Sequence, residues 1–166
     1  TWFCTLTYVM TFGSFSGLSA AFPLLIKTVY GGFPDAPDPL KYAFYGPLIG
    51  SASRVIFGFV ADRTGGAILT HLTGLALMGL CGALVLTGSL TPESTASFPL
   101  FVGLMLAIFF FTGVGNAATF RQYPLIFAHS PRQGAGVLGW TGAAAAYGPF
   151  LVSTLASASI SATGSA

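Results

Sequence analysis

Residues 46–66 read GPLIGSASRVIFGFVADRTGG, an apolar, glycine-rich stretch with an arginine, Arg54, near its centre. Gly46, Gly50, Arg54 and Gly58 recur every four residues, so on a helix they share one face with glycines above and below the arginine. Glycines on a helix face remove bulk, which lets another helix or a ligand come close to the guanidinium. The stretch therefore predicts a helix that holds a permanent charge in apolar surroundings.

The composition of the whole chain identifies those surroundings. Of its 166 residues, 54% are hydrophobic and only 6% are charged, whereas about a quarter of the residues in a soluble domain are charged. Too few charges are present to form a polar surface, so lipid must cover most of the outside. The net charge of +2 is too small and scattered to indicate a nucleic-acid partner. We expect a membrane protein whose surroundings are the lipid bilayer.

Five apolar windows are long enough to cross that bilayer, since a spanning helix needs about 20 mostly apolar residues. None has the alternating pattern of a barrel strand, which favours an all-α membrane protein. The predicted spans cover residues 2–29, 41–61, 67–88, 97–125 and 134–157.

The connectors between the windows alternate in charge. Two of them contain three acidic residues against one lysine, whereas the other two and their flanks contain Arg63, Arg121 and Arg132. The positive-inside rule places the arginine-bearing side in the cytoplasm. The first span then enters from the cytoplasm, and the fifth ends outside.

Arg54 lies several turns from either end of its window. Placing a charged side chain in the middle of a bilayer costs several kcal/mol of free energy. The arginine must therefore face protein or water. No Asp or Glu occurs inside any of the five windows, so a bound oxyanion held by the guanidinium fork is one interpretation. The alternative is an ion pair with an acid in another part of the protein.

Three further side chains are candidates for the same site. Tyr8 and Phe12 are four residues apart and share a helix face. The GSFSG segment that follows weakens the helix at membrane depth, and membrane helices bend or line a cavity at such points. Asn116 needs a hydrogen bond in hydrocarbon, from a ligand or across helices. The ordinary alternatives are aromatic packing for the first two residues and helix-to-helix contact for the third.

The fifth window contains GAGVLGWTGAAAAYGPFL, in which Gly136, Gly139, Gly142 and Ala146 fall on adjacent turns. We expect this smooth face to pack closely against a neighbour and to slide on it. Pro149 is expected to kink the end of the span.

The second window ends in GFVADRTGG, where an acid in a tight turn is placed to cap or brace a neighbouring helix end. Its spacing resembles the G-x-x-x-D-R-x-G-[GR] signature that joins the second and third helices of each half of major facilitator superfamily transporters. The matching residues are Gly58, Asp62, Arg63, Gly65 and Gly66. The resemblance implies a conformational role for them.

Four stretches together resemble the carboxy-terminal half of the nitrate/nitrite porters, a branch of that superfamily. They are TFGSFSGLSAAFPLL, IGSASRVIFGFVADRTGG, GVGNAATFRQYPLIF and GAGVLGWTGAAAAYGPF, in the order of the family and over nearly the whole chain. The resemblance implies that the five spans are helices seven to eleven of twelve. We accordingly expect residues 1–166 to be part of a longer protein, without its amino-terminal half and last helix.

Site residues follow from the same resemblance. The family's helix-eight arginine falls on Arg54, one of a pair whose mate lies in the amino-terminal half. The aromatic residues that sandwich the anion fall on Tyr8 and Phe12. The second nitrate signature falls on residues 139–150, which include Gly139 and Gly142, although Gly142, Ala145 and Pro149 depart from the usual pattern.

The expected function is secondary transport of nitrate, nitrite or both across the cytoplasmic (inner) membrane by alternating access, with anion exchange favoured over proton symport and with this fragment inactive alone. No enzyme, catalytic residue, metal or cofactor is expected. The alternatives are a major facilitator carrier of another small or organic anion, a structural scaffold, and a haem-bearing subunit. His71 and His129 are poorly placed as axial haem ligands.

Overall fold

The computed structural model describes residues 1–163, and these are helical apart from short connections. Five stretches are long and apolar enough to cross a membrane, as the sequence predicted. The spans run Trp2–Tyr30, Pro39–Thr64, Gly66–Leu86, Thr95–Ile126 and Pro131–Ala162. We refer to them as the first to fifth spans. An all-α, multi-pass membrane architecture is therefore confirmed.

Four of the spans are not single continuous α-helices. The first consists of α-helices Trp2–Tyr8 and Ser14–Tyr30 joined by a π-helical turn, Val9–Gly13. The second is divided into Pro39–Tyr42 and Tyr45–Thr64. The third is one helix, Gly66–Leu86, and the fourth has a short 3₁₀ turn, Thr95–Ser97, before Phe98–Ile126. The fifth is divided into Pro131–Ala146 and Gly148–Thr163.

The fourth span is the centre of the bundle. It packs against the second and third spans, whereas the first span packs mainly against the fifth. Half of the apolar window of the fourth span is buried, compared with 11% for the third and the fifth. Because the fourth span contacts so many neighbours, its side chains hold the other helices in register.

An aromatic core joins the first and fourth spans near the ends of the spans that carry the acidic connectors. Phe22 lies edge-on to Phe109 with ring centroids 5.5 Å apart. Tyr30 is fully buried, and its hydroxyl donates a hydrogen bond of 3.0 Å to the carbonyl oxygen of Ser89. This contact ties the connector before the fourth span to the end of the first, since a buried phenol requires a partner.

The break in the fifth span falls at Tyr147, two residues before the proline that was expected to kink it. Pro149 is the second residue of Gly148–Thr163, where a helix does not need its N–H. Leu151 N–H still donates to the Tyr147 carbonyl at 3.0 Å. The proline thus starts a new helix rather than bending an existing one.

Candidate functional site

Arg54 lies between two aromatic rings from different spans. Its guanidinium carbon is 5.8 Å from the ring centroid of Phe12, on the first span, and 5.8 Å from that of Phe120, on the fourth. Both distances are within the range of a cation–π interaction. The arginine side chain remains exposed, so part of the guanidinium is open to a ligand while the rings hold it in place.

No acid neutralises Arg54 among the described residues, in which the only ion pair joins Asp62 and Arg121. A guanidinium at membrane depth without a carboxylate needs another source of negative charge. A planar oxyanion has the negative charge and the two acceptor oxygens that such a fork can bind. This geometry is consistent with the oxyanion interpretation and not with an ion pair inside the described part of the chain.

The two rings that contact Arg54 belong to a cluster of four aromatic side chains, which we call the aromatic wall: Tyr8, Phe12, Phe120 and Tyr123. Tyr8 stacks on Phe12 with centroids 5.4 Å apart and an interplanar angle of 19°. Tyr8 also contacts Phe120 at 5.8 Å and Tyr123 at 6.1 Å. The predicted pair, Tyr8 and Phe12, is therefore brought to Arg54 as part of a larger surface.

Phe120 and Tyr123 were not predicted from the sequence. Phe120 lies four residues after Asn116, so helical spacing alone puts the two side chains on neighbouring turns of one face. Tyr123 is buried, and its hydroxyl donates a hydrogen bond of 2.9 Å to the carbonyl oxygen of Cys4. That bond holds the fourth span against the start of the first and fixes the position of Tyr123 in the aromatic wall.

The π-helical turn lies between the two predicted aromatic residues of the first span. Phe12 belongs to the turn, whereas Tyr8 precedes it. Beside the turn the backbone of the fifth span comes very close, because a Cβ added to Gly148 would collide with the backbone of Gly13. Single π-helical turns are frequent at functional sites, and this one lies beside a close contact between two glycines.

Asn116 is buried beside the aromatic wall, with 1% of its surface exposed. The Tyr8 hydroxyl lies near the amide. Among the described residues, however, neither the nitrogen nor the oxygen of the amide has a partner with hydrogen-bond geometry. A buried amide without a partner is costly, so this side chain is the least satisfied polar group of the site.

The glycines predicted for the fifth span do not line the wall. Gly139 is exposed and Gly142 is half-buried, and a Cβ added to either would have no atom within 4 Å. The expected close packing through this face is therefore not found within the described residues. Val137 and Ala145 pack against Tyr8 and Tyr123 instead, because they lie on the other side of the helix.

The glycine face around Arg54 is occupied by another helix. A Cβ at Gly46 would meet the ring of Phe109, and one at Gly50 would meet the ring of Phe15. Ser53 Oγ, on the same face, donates to the Phe110 carbonyl at 3.0 Å. The face therefore brings the second span close to the fourth, and this contact places Arg54 next to Phe120.

The DRTGG turn forms a second contact between those two spans. Arg121 Nη2 lies 3.3 Å from Asp62 Oδ2, and a Cβ at Gly58 would be 3.6 Å from the same nitrogen. Gly65 has a φ of 88°, which favours glycine. A Cβ at Gly66 would collide with the Ala118 carbonyl oxygen. Asp62 thus braces the fourth span, while Arg63 is exposed without an ion pair in the described chain.

No metal site accompanies these residues, since nowhere in residues 1–163 do three His, Cys, Asp or Glu side chains form a group that could hold an ion. What the arrangement offers chemically is one fixed positive charge, aromatic faces on two sides, a phenol and an amide. Such a set is chemically suited to an anionic ligand.

The spans and the site together define a membrane-embedded helical bundle of the major facilitator type. The chain is a partial homologue of the NarK-type nitrate/nitrite porters, and the resemblance indicated by its sequence is confirmed. It is 58% identical over 164 residues to the probable nitrate/nitrite antiporter NarK2 of Thermus thermophilus. The match covers 99% of this chain and 36% of that protein.

Two enteric relatives match over a shorter stretch. The nitrate/nitrite transporter NarU of Escherichia coli K12 is 36% identical over 126 residues, which are 76% of this chain and 26% of that protein. NarU of Salmonella typhimurium LT2 is 37% identical over the same number of residues. No family model matches the chain. The matched segment is about a third or less of the length of these three relatives, which are named as nitrate/nitrite transporters or antiporters.

Proposed function

We propose that this chain is part of a secondary transporter that moves nitrate, nitrite or both across the cytoplasmic membrane. The names of the three relatives support this assignment, and the five spans agree with it. Because the chain covers only 36% of the Thermus relative, we further propose that it is inactive alone. The remaining part of the transporter completes the pathway.

The observation that carries the proposal is the environment of Arg54. Its guanidinium is flanked by Phe12 and Phe120 and has no carboxylate partner in the described chain. Nitrate and nitrite are planar, singly charged and weakly hydrated. A planar fork binds such an anion in two places, and aromatic faces replace its loosely held water at little cost. A strongly hydrated ion would lose far more on entering this site.

Each of the other site residues has a separate role in the proposal. Tyr8 supplies a hydroxyl donor, Phe12 an aromatic face, and Asn116 a polar contact behind them. Gly139 and Gly142 lie open in the described chain, and we assign their bare helix face to contact with the anion or with the second half of the transporter. Small residues allow close approach there.

Transport is proposed to proceed by alternating access, in which one half of the protein rocks against the other around a central site. The Gly13–Gly148 contact and the Asp62–Arg121 pair join spans within this chain, which supports its movement as one rigid body. Exchange of nitrate for nitrite is the favoured mode. Arg54 carries a fixed positive charge, and in an exchange each anion that leaves the site is replaced by another that neutralises this charge.

The proposal is tested by substituting Arg54 with lysine in the full-length transporter that contains this chain. A suitable substitute host is the Thermus relative with its matching segment replaced by residues 1–166. Purified protein is placed in nitrite-loaded liposomes, and nitrate entry is measured. Lysine keeps the positive charge but lacks the planar fork of the guanidinium. We expect the exchange rate to fall about tenfold or more, because one charge-assisted hydrogen bond to the anion is lost.

The matched control is Arg132→Lys, which changes an exposed arginine outside the site and should exchange at the unmodified rate. Normal nitrate uptake by Arg54→Lys would overturn the assignment of the site. A competition series with unlabelled anions tests the substrate class. Stronger competition by an organic anion than by nitrate would move the assignment to another major facilitator carrier.

A further inference from the structure

Asn116 presents a problem that packing does not explain. Both polar atoms of its amide lack a partner among the described residues, although many other buried polar side chains nearby are bonded. Thr119, for example, donates to the Gly115 carbonyl at 2.9 Å, and Thr112 donates to the Phe109 carbonyl at 2.9 Å. On the fourth span the unbonded amide is therefore an exception; elsewhere in the described chain only Thr73 Oγ1, on the third span, is likewise buried without a partner.

The missing partner of Asn116 must be small or already adjacent. Only 1% of the side chain is exposed, so residues of the described chain already enclose it. A further helix outside residues 1–163 has no access to the amide unless these spans separate. This leaves a neighbouring side chain that adjusts slightly, or a small polar molecule, as the partner.

Tyr8 is the neighbouring side chain that fits. Its ring lies 5.8 Å from that of Phe120, one helical turn after Asn116, and stacks on Phe12, whose ring contacts Arg54. Its hydroxyl lies close to the Asn116 amide. The phenol thus stands between the amide and the cationic site. Because a phenol oxygen both donates and accepts, the direction of its O–H bond determines what it offers to an anion.

The two possible directions have opposite consequences. If the Tyr8 O–H group donates to Asn116 Oδ1, the phenol presents lone pairs toward the site and repels an anion. If Asn116 Nδ2–H donates to the phenol oxygen, the Tyr8 hydrogen is free to donate to the anion beside Arg54. An anion accepts hydrogen bonds and donates none, so its arrival favours the second arrangement.

We propose that Asn116 is a positioning residue: its amide donates to the Tyr8 oxygen and thereby turns the Tyr8 hydroxyl into a donor toward the bound anion. This inference rests on the proposed transport function and specifies how one of its residues acts. Asn116 touches Tyr8 rather than the anion. Its contribution therefore exists only while the Tyr8 hydroxyl is present.

A double-mutant cycle on the full-length transporter tests this dependence. Asn116→Leu replaces the amide by an apolar group of similar shape, and Tyr8→Phe removes only the hydroxyl. In nitrate/nitrite exchange we expect either single variant to raise the KM for nitrate about tenfold, which corresponds to one hydrogen bond to a charged ligand. The maximal rate should change less than about twofold, since both groups act on binding.

The decisive measurement is Asn116→Leu in the Tyr8→Phe background. We expect less than about a twofold further rise in KM, because the group that Asn116 positions is already gone. A further tenfold rise would overturn the proposal and make the amide an independent contact. An unchanged KM in the single Asn116→Leu variant would also overturn it. Asn116→Ala replaces the leucine variant if the latter does not fold.

Thr112→Val is the matched control, because Thr112 is equally buried and lies one turn away on the same helix. Its hydroxyl is bonded within its own helix, so its removal should leave the nitrate KM unchanged. Failure of this inference is distinguishable from failure of the proposed function. Exchange that depends on Arg54 but shows no coupling between Asn116 and Tyr8 retains the transporter and rejects the positioning role.

Discussion

Asp62 and Arg121 form an ion pair of 3.3 Å between the second and fourth spans, and Arg121 directly follows Phe120, whose ring faces Arg54. Along the second span, Asp62 lies two turns beyond Arg54. The same two helices are therefore joined twice, once at the anion site and once at the end of the bundle. A shift at either contact therefore also moves the other, because the same two helices carry both.

Breaking the Asp62–Arg121 pair should affect turnover more than stability. Both side chains are about half exposed, and pairs of this kind contribute less than ~1 kcal/mol. We expect Asp62→Asn to lower the maximal exchange rate several-fold and to leave the nitrate KM nearly unchanged. Transport assays and thermal unfolding of the purified full-length protein check this expectation. Glu93→Gln, which neutralises an exposed acid far along the sequence, serves as the control.

Removing the ring of Phe120 should weaken anion binding. A cation–π contact at a partly exposed site contributes roughly 0.5–1 kcal/mol, and Phe120→Leu also loses an aromatic face of the site. We expect the nitrate KM to rise about threefold to tenfold, whereas Phe120→Tyr should retain most of the affinity. The comparison variant is Phe110→Leu, whose ring packs edge-on against Phe57 away from Arg54. An equal effect of both leucine variants would contradict the role of Phe120.

The turn between the second and third spans should tolerate no side chain at Gly65. Alanine at a φ of 88° is strained by about 1–2 kcal/mol. We expect Gly65→Ala to lower the thermal unfolding midpoint in detergent. Gly74→Ala provides the contrast, because a Cβ there meets no atom within 4 Å and alanine favours a helix interior. A lower midpoint for Gly74→Ala than for Gly65→Ala would be inconsistent with the structure.

The crossing of the first and fifth spans should be equally sensitive. A Cβ at Gly148 collides with the backbone of Gly13, and overpacking of this kind costs about 1–3 kcal/mol. We expect Gly148→Ala to destabilise the protein and to disturb the adjacent π-helical turn. Gly142→Ala, on the open face of the same span, should leave the unfolding midpoint unchanged. Reduced transport by this second variant would then reflect function rather than folding.

Sequence reasoning succeeded where one local rule sufficed. Apolar length alone predicted the five spans. The lack of an acid inside the spans singled out Arg54, whose role in binding an anion stays a prediction. It missed Phe120 because the fourth span is apolar on nearly every side, so nothing in its pattern marks which ring meets the arginine. It placed the interruption of the fifth span two residues too late, at Pro149. It missed the π-helical turn, which lies where Gly148 of the distant fifth span closely approaches Gly13.

The roles predicted for Gly139 and Gly142 have a different origin from the prediction for Arg54. They came from resemblance, and within residues 1–163 the fifth span meets the aromatic wall through Val137 and Ala145 instead. A helix has only one face toward a given neighbour, so the glycine face remains available to a surface outside these spans. Their contact with substrate stays a prediction.

The five-residue turn Val9–Gly13 has one more residue than an α-helical turn would use. If the same residues were wound as a regular α-helix instead, everything before the turn would rotate by about 100° relative to Ser14–Tyr30. Tyr8 would then swing away from Arg54 while the outer half of the span stayed in place. The phase of this helix, and with it the place of Tyr8 in the aromatic wall, is thus set by one surplus residue.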